Sequence, residues 1–160
     1  MSLYFILKNS TMGINQIIIK NALKIVLGII IYFFAMKLLG LESVSELRFL
    51  NFLFVVWGIN AAIKSNIHKN QDTFYISNLF IGVATSIIAV GMILICLITY
   101  VSIIEPGFIS VLENSFLWGS KLSLPLIIFA IAIEGIASSV ICSFILMQYW
   151  KNYKIENYAL

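Results

Sequence analysis

Residues 76–104 and 122–150 form two apolar runs of 29 residues each, and the only charge within them is Glu134. A helix of that length extends about 43 Å at roughly 1.5 Å per residue. The hydrocarbon core of a bilayer is only about 30 Å thick, so two such helices must tilt or project beyond it. Of the 160 residues, 61% are hydrophobic and 11% are charged, against roughly 25% charged in a soluble domain. One soluble core does not hide that much apolar surface. Lipid is therefore the solvent for most of the chain.

Two further runs, 22–41 and 48–64, complete four candidate spans; the second is short and carries Asn51 and Asn60. The expected fold is all-α: an integral membrane four-transmembrane-helix bundle built from two hairpins over residues 22–150. The first hairpin turns at LESVSEL and the second at a longer outer loop, 105–121. Basic residues orient it. Lys8, Lys20 and Lys24 precede or open the first span, Lys64 and Lys69 lie between the second and third, and Lys151 and Lys154 follow the fourth. Lys37, Arg48 and Lys121 fall on the other side beside Glu42, Glu46, Glu105 and Glu113. The positive-inside bias places residues 1–21 and the tail 151–160 in the cytoplasm, with the bacterial cytoplasmic (inner) membrane as location. The net charge of +3 is a topology signal, and a nucleic-acid partner is not expected. No signal-peptide cleavage pattern follows the first run, which reads as a signal anchor. LYFIL near the start is too short to cross; either Met12 is a second start or the segment lies at the interface.

The outer loop carries readable chemistry. Glu105-Pro106-Gly107 ends the third helix, because proline donates no backbone hydrogen bond and disfavours a helical residue before it. Ser110 and Glu113 then have capping-box spacing, and Ile109, Leu112 and Phe116 share a face. This predicts a short helix at the outer membrane surface with Trp118 at headgroup level; a partner-binding loop is the alternative. Pro125 suits the first turn of the fourth helix, with Ser123 as its cap. Cys96 and Cys142 differ in expected depth by roughly 18 Å if their helices are antiparallel, too far for a disulfide.

The fourth run carries a ridge of Ala130, Glu134, Ser138 and Cys142 beside another of Gly135, Ser139 and Ser143. The third carries Gly82, Ser86 and Ala89, with Thr85 adjacent. Small-xxx-small rows let helices approach closely in lipid, which accounts for every one of these residues except the carboxylate. An intramembrane carboxylate is costly and is expected to face the bundle interior. Three roles stand open for Glu134: a protonated hydrogen-bond donor to another helix, as desolvation favours the neutral form; a proton or cation site; or the partner of a group on another subunit. Candidate polar partners within the chain are Asn51, Asn60, Thr85, Ser86 and Ser138.

Signatures of catalysis are sparse. His68 is the lone histidine, neither cysteine has CxxC spacing, and no GxSxG, HExxH or phosphate-cradling glycine loop occurs. The sequence predicts no enzyme, metal site or cofactor.

IKNALKIVLGIIIYFF, LRFLNFLFVVWGINAAIK, YVSIIEPGF and AIEGIASSVICSFILMQYWK together give the chain a likeness to a known family. It resembles uncharacterised four-helix bacterial inner-membrane proteins, common in Bacteroidota and classed as a domain of unknown function, over about residues 14–154. The resemblance implies fold and membrane placement only. The function expected from the residues is a small non-catalytic accessory or scaffold subunit, packing in the bilayer as a homo-oligomer or in a larger complex. The alternative is a proton or ion channel or transporter component using Glu134.

Overall fold

The computed structural model describes residues 13–41, 45–114 and 123–152, and among them every regular element is helical. α1 spans Ile14–Leu38, a 3₁₀ turn at Ser45–Leu50 leads into α2 at Asn51–Asn70, and α3 spans Tyr75–Thr99. α3 widens into one π turn at Tyr100–Ile104; a short α4 follows at Phe108–Asn114, then α5 at Leu124–Trp150. Met12, Lys8, Glu42, Phe116, Trp118, Lys121 and Lys154 lie outside the described residues.

Three stretches are long and apolar enough to cross a membrane: Ile14–Leu38, Tyr75–Ile104 and Leu124–Trp150. The second of the four expected spans, in α2, is not among them. α2 is a full helix, but Lys64, Asn66, His68 and Lys69 make its last turns polar. The outward-facing surface fits lipid: Ile31, Phe80 and Ile95 are each about two-thirds exposed.

Helix ends follow local chemistry, with several differences from expectation. α1 starts at Ile14, eight residues before position 22, because Ile17 and Ile18 pack on Ala62 and Ile81. It closes in a Schellman motif around Gly40, whose φ is +69°. There the Leu41 N–H bonds the Met36 carbonyl and the Gly40 N–H bonds that of Lys37. α2 starts at Asn51 and runs on to Asn70, past the expected end at 64, since Asn66 and Ile67 are buried. α3 stops where Pro106 requires: Glu105 leaves helical geometry with its N–H on the Tyr100 carbonyl, 3.0 Å away. α5 carries Pro125 in its first turn, but Ser123 makes no side-chain cap. Ser110 is not a cap either, because α4 already begins at Phe108; its hydroxyl donates to the Gly107 carbonyl at 2.7 Å. The side chain of Glu113 lies outside the described residues. α4 tucks Phe108 and Leu112 against Tyr100, Val101 and Ile127.

α3 is the hub, packing on α1, α2 and α5, while α2 also packs on α1 and α5. Ile59, Ile63 and Ile67 of α2 meet Cys142 and Met147 of α5; Ala22, Ile25 and Val26 of α1 meet Ala89 of α3. The closest approach is at Gly58, where an added Cβ would lie 2.1 Å from Cγ1 of Ile25. At the α3–α5 seam an added Cβ would lie 3.1 Å from the Ser143 hydroxyl at Gly82, and 2.9 Å from Val90 at Gly135. These two pairings make α3 and α5 antiparallel. They also put Cys142 level with residue 83, roughly 20 Å from Cys96; both thiols are free.

Gly58→Ala therefore forces α1 and α2 apart and is expected to cost about 1–3 kcal/mol. Gly91, with nothing within 4 Å of an added Cβ, is the control: Gly91→Ala leaves stability unchanged or raises it by up to about 1 kcal/mol. Unfolding in mixed detergent micelles, followed by circular dichroism, separates the two.

Candidate functional site

α5 forms because its interior offers long aliphatic and small side chains with no helix breaker after Pro125. It turns its smallest ridge inward. Ser139 and Ser143 are buried, Gly135 sits on Val90, and the Ser139 hydroxyl is satisfied by the Gly135 carbonyl at 2.6 Å. Of the other ridge, Cys142 is buried, Ala130 and Ser138 are half-buried, and Glu134 is exposed.

This overturns the expectation that Glu134 faces the interior. Successive helical residues are about 100° apart, so seating Gly135 on α3 turns Glu134 about a quarter-turn away. Ile133, Ala137 and Ile141 share its exposed side. Glu134 lies ten residues into α5, about 15 Å from Leu124, which is hydrocarbon depth if α5 spans. Among the described residues, none bonds or pairs with it.

Three of the five expected polar partners are occupied elsewhere. Asn60 accepts a hydrogen bond from Trp150 Nε1 at 2.8 Å. Thr85 donates to the Ile81 carbonyl at 2.7 Å, and Ser86 to that of Gly82 at 3.0 Å. Such bonds one turn back satisfy a buried hydroxyl within its own helix. Asn51 is half-buried, with Oδ1 sheltered and unbonded among the described residues. Of the expected packing residues, Gly82, Ala89 and Ser139 are buried, Gly135 seats on Val90, and Ala130 borders the exposed face.

Two polar clusters escaped the sequence reading. Where α1 closes and α3 ends, Lys37 donates to the Tyr100 hydroxyl and to the Glu105 carboxylate, and Tyr100 donates to the same carboxylate. The Lys37 ammonium also lies 5.2 Å from the Tyr100 ring centre, within cation–π range. Phe33 and Phe108 meet that ring edge-on at 5.3 and 5.5 Å. Both charges were assigned to the outer side, but a sequence separation of 68 positions gave no sign that they touch. The hydrogen bond from Lys37, then that from Tyr100, holds the Glu105 carboxyl below its ordinary range.

At the other end, fully buried Asn66 donates to Asn78 Oδ1 at 3.0 Å and Asp72 Oδ2 at 3.3 Å. Asn78 in turn donates to the Asp72 and Phe74 carbonyls at 2.8 and 3.0 Å. This web supports the left-handed Gln71, φ +53°, that turns α2 into α3. Burial pushes the Asp72 carboxyl up, but bonds from the Ser77 hydroxyl, the Phe74 N–H and Asn66 outweigh it and leave it lowered. Both clusters join helix ends and read as structural ties.

No protein-family model, curated protein or solved structure matches the chain.

The cluster around Glu105 has a pH signature. A folded carboxyl held below its ordinary value of 4.5 stabilises the fold in full above that pH. The contribution fades as pH falls through the lowered value, where the carboxylate is protonated in both states. Glu105→Gln should therefore lower the detergent thermal midpoint at pH 7, with the gap from wild type closing as pH falls through and below that range. A gap independent of pH would show that the pair contributes packing and no charge.

Proposed function

We propose that the chain is a small non-catalytic subunit of the bacterial cytoplasmic membrane. It crosses the bilayer four times with both ends inside and uses the exposed face of α5 to pack against its own copies or a larger membrane complex. The observation that carries this reading is Glu134, which in the isolated chain faces lipid with no described partner. A charged side chain at the centre of a spanning helix costs about 2.5–3.5 kcal/mol by insertion scales, and a neighbouring helix that accepts or donates a hydrogen bond relieves that cost. Ala130, Ala137 and Ser138 flank the carboxylate with small side chains, so a second helix has room to approach.

The fourth crossing rests on α2. Its 20 residues extend about 30 Å, enough for the hydrocarbon core, and Trp150 satisfies Asn60 within the bundle. Orientation follows the lysines at the α2–α3 turn and at the end of α5. Transport through the bundle of one copy has less support: Glu134 lies outside it, and the interior hydroxyls of Thr85, Ser86 and Ser139 bond their own helices.

In mild detergent, light scattering is expected to give a mass above one copy. Glu134→Gln should keep the assembly through its amide, and Glu134→Ala should lose it. A monodisperse monomer for wild type, or identical assembly of both variants, refutes the reading. Proton flux into proteoliposomes should be near background for wild type and Glu134→Gln alike; flux abolished by Glu134→Gln would favour a channel or transporter component instead.

A further inference from the structure

The Lys-rich end of the bundle holds a feature that packing does not explain. A cavity of about 60 Å³ opens between α1 and α2, lined by Ile17, Lys20, Asn21, Lys24, Ser65 and Lys69. A single water needs only about 10–15 Å³, so the space suits a larger polar group. None of its lining residues is acidic. Asp72, the acid of the neighbouring turn, is engaged with Phe74, Ser77 and Asn66.

Lys24 is held in position. Asn21, 3% exposed, donates from Nδ2 to the Ile17 carbonyl at 2.8 Å, and its Oδ1 accepts from Lys24 Nζ at 3.3 Å. Lys24 also lies 6.0 Å from the Trp57 ring centre. Lys20 and Lys24, one turn apart on α1, both line this cavity, with Ser65 of α2 on its other side. Like charges lining one cavity repel, and an anion between them removes the repulsion.

A second feature identifies the kind of anion. Lys20 and Lys24 also border a shallow groove of about 500 Å³ along α1, whose other lining residues are Gln16, Ile19, Leu23 and Leu27. The groove is apolar beyond the lysines. Leu23 and Leu27 follow along α1 toward its middle and are both exposed. A polar cavity thus adjoins an apolar track, with two lysines at the junction. A free anion would fill the cavity alone, whereas an amphiphile would use both.

We infer that this junction binds an anionic phospholipid, its phosphate between Lys20, Lys24 and Ser65 and an acyl chain along Ile19, Leu23 and Leu27. Basic pockets between helices at a membrane face are suited to such headgroups. The inference rests on the proposed membrane placement, with this end of the bundle at headgroup level.

Native mass spectrometry of the full chain, released from nanodiscs of mixed phosphatidylglycerol and phosphatidylcholine, tests it. The expected result is retained phosphatidylglycerol in preference to phosphatidylcholine. Lys20→Gln with Lys24→Gln should weaken retention roughly 25-fold, about fivefold per ammonium removed. Lys64→Gln, which removes an exposed charge at the same end outside the cavity, should leave retention unchanged, and Lys20→Arg with Lys24→Arg should largely preserve it. Equal retention of the two lipids, or equal loss from Lys64→Gln and the double variant, overturns the site. Displacement of the lipid by millimolar inorganic phosphate or glycerol phosphate would make it a free-anion site and overturn the lipid assignment. Failure of the chain to enter nanodiscs of either lipid would instead refute the membrane placement.

Discussion

The closeness with which helices approach α3 governs the rest of this structure. In lipid no hydrophobic drive pushes helices together, so association depends on tight van der Waals contact and on hydrogen bonds. α3 keeps Gly82, Thr85, Ser86 and Ala89 buried where α1, α2 and α5 converge. The hydroxyls among them return to carbonyls of their own helix, so close contact leaves neither unsatisfied. Beyond Ala89 the same helix carries Ile95, Ile98 and Ile103, which are exposed. Ile76, Phe80 and Ile88 are exposed in its first half as well, so α3 packs along one side and is open along the other.

Polar ties at the two ends complement this seam. Lys37, Tyr100 and Glu105 join the last turn of α1 to the end of α3, and Asn66, Asp72 and Asn78 join the end of α2 to the start of α3. Each lies where a helix end leaves backbone groups without an intrahelical partner. Charges at an aqueous boundary cost far less than charges in hydrocarbon, so a stabilising ion pair belongs there. Lys37 and Glu105 are each about one-third exposed, and their attraction is correspondingly screened.

Much of the architecture was legible from residues whose effect is local. Pro106 ends α3, Pro125 opens α5, and the length of the apolar runs gives the long helices. The small ridges include Gly82 and Ser139, which are buried, and Gly135, which seats on Val90. What was not legible depended on rotation or on distant partners. Glu134 and Gly135 occupy adjacent ridges of similar residue size, and only contact with Val90 decides which ridge turns inward. The continuation of α2 to Asn70 was hidden because Asn66 looks like a loop residue until its bonds to Asn78 and Asp72 are known. Lys37 and Glu105 carry the right charges, but no periodicity links helices so far apart in sequence.

The rotation of α5 is also why none of the described residues relieves Glu134. Turning the helix a quarter-turn to bury the carboxylate would remove Gly135 from Val90 and Ser143 from Gly82, where the gaps admit no larger group. Ile141, exposed now, would be carried toward α3 in the same turn, and such overpacking costs about 1–3 kcal/mol. That is comparable with the roughly 2.5–3.5 kcal/mol of a charged group at the centre of a spanning helix, so rotation exchanges one penalty for another and forfeits the seam as well. A second helix laid over Ala130, Glu134 and Ala137 incurs neither penalty. The physics that fixes α5 against α3 is therefore the same physics that leaves the carboxylate on the exposed face, where the proposed partner helix would meet it.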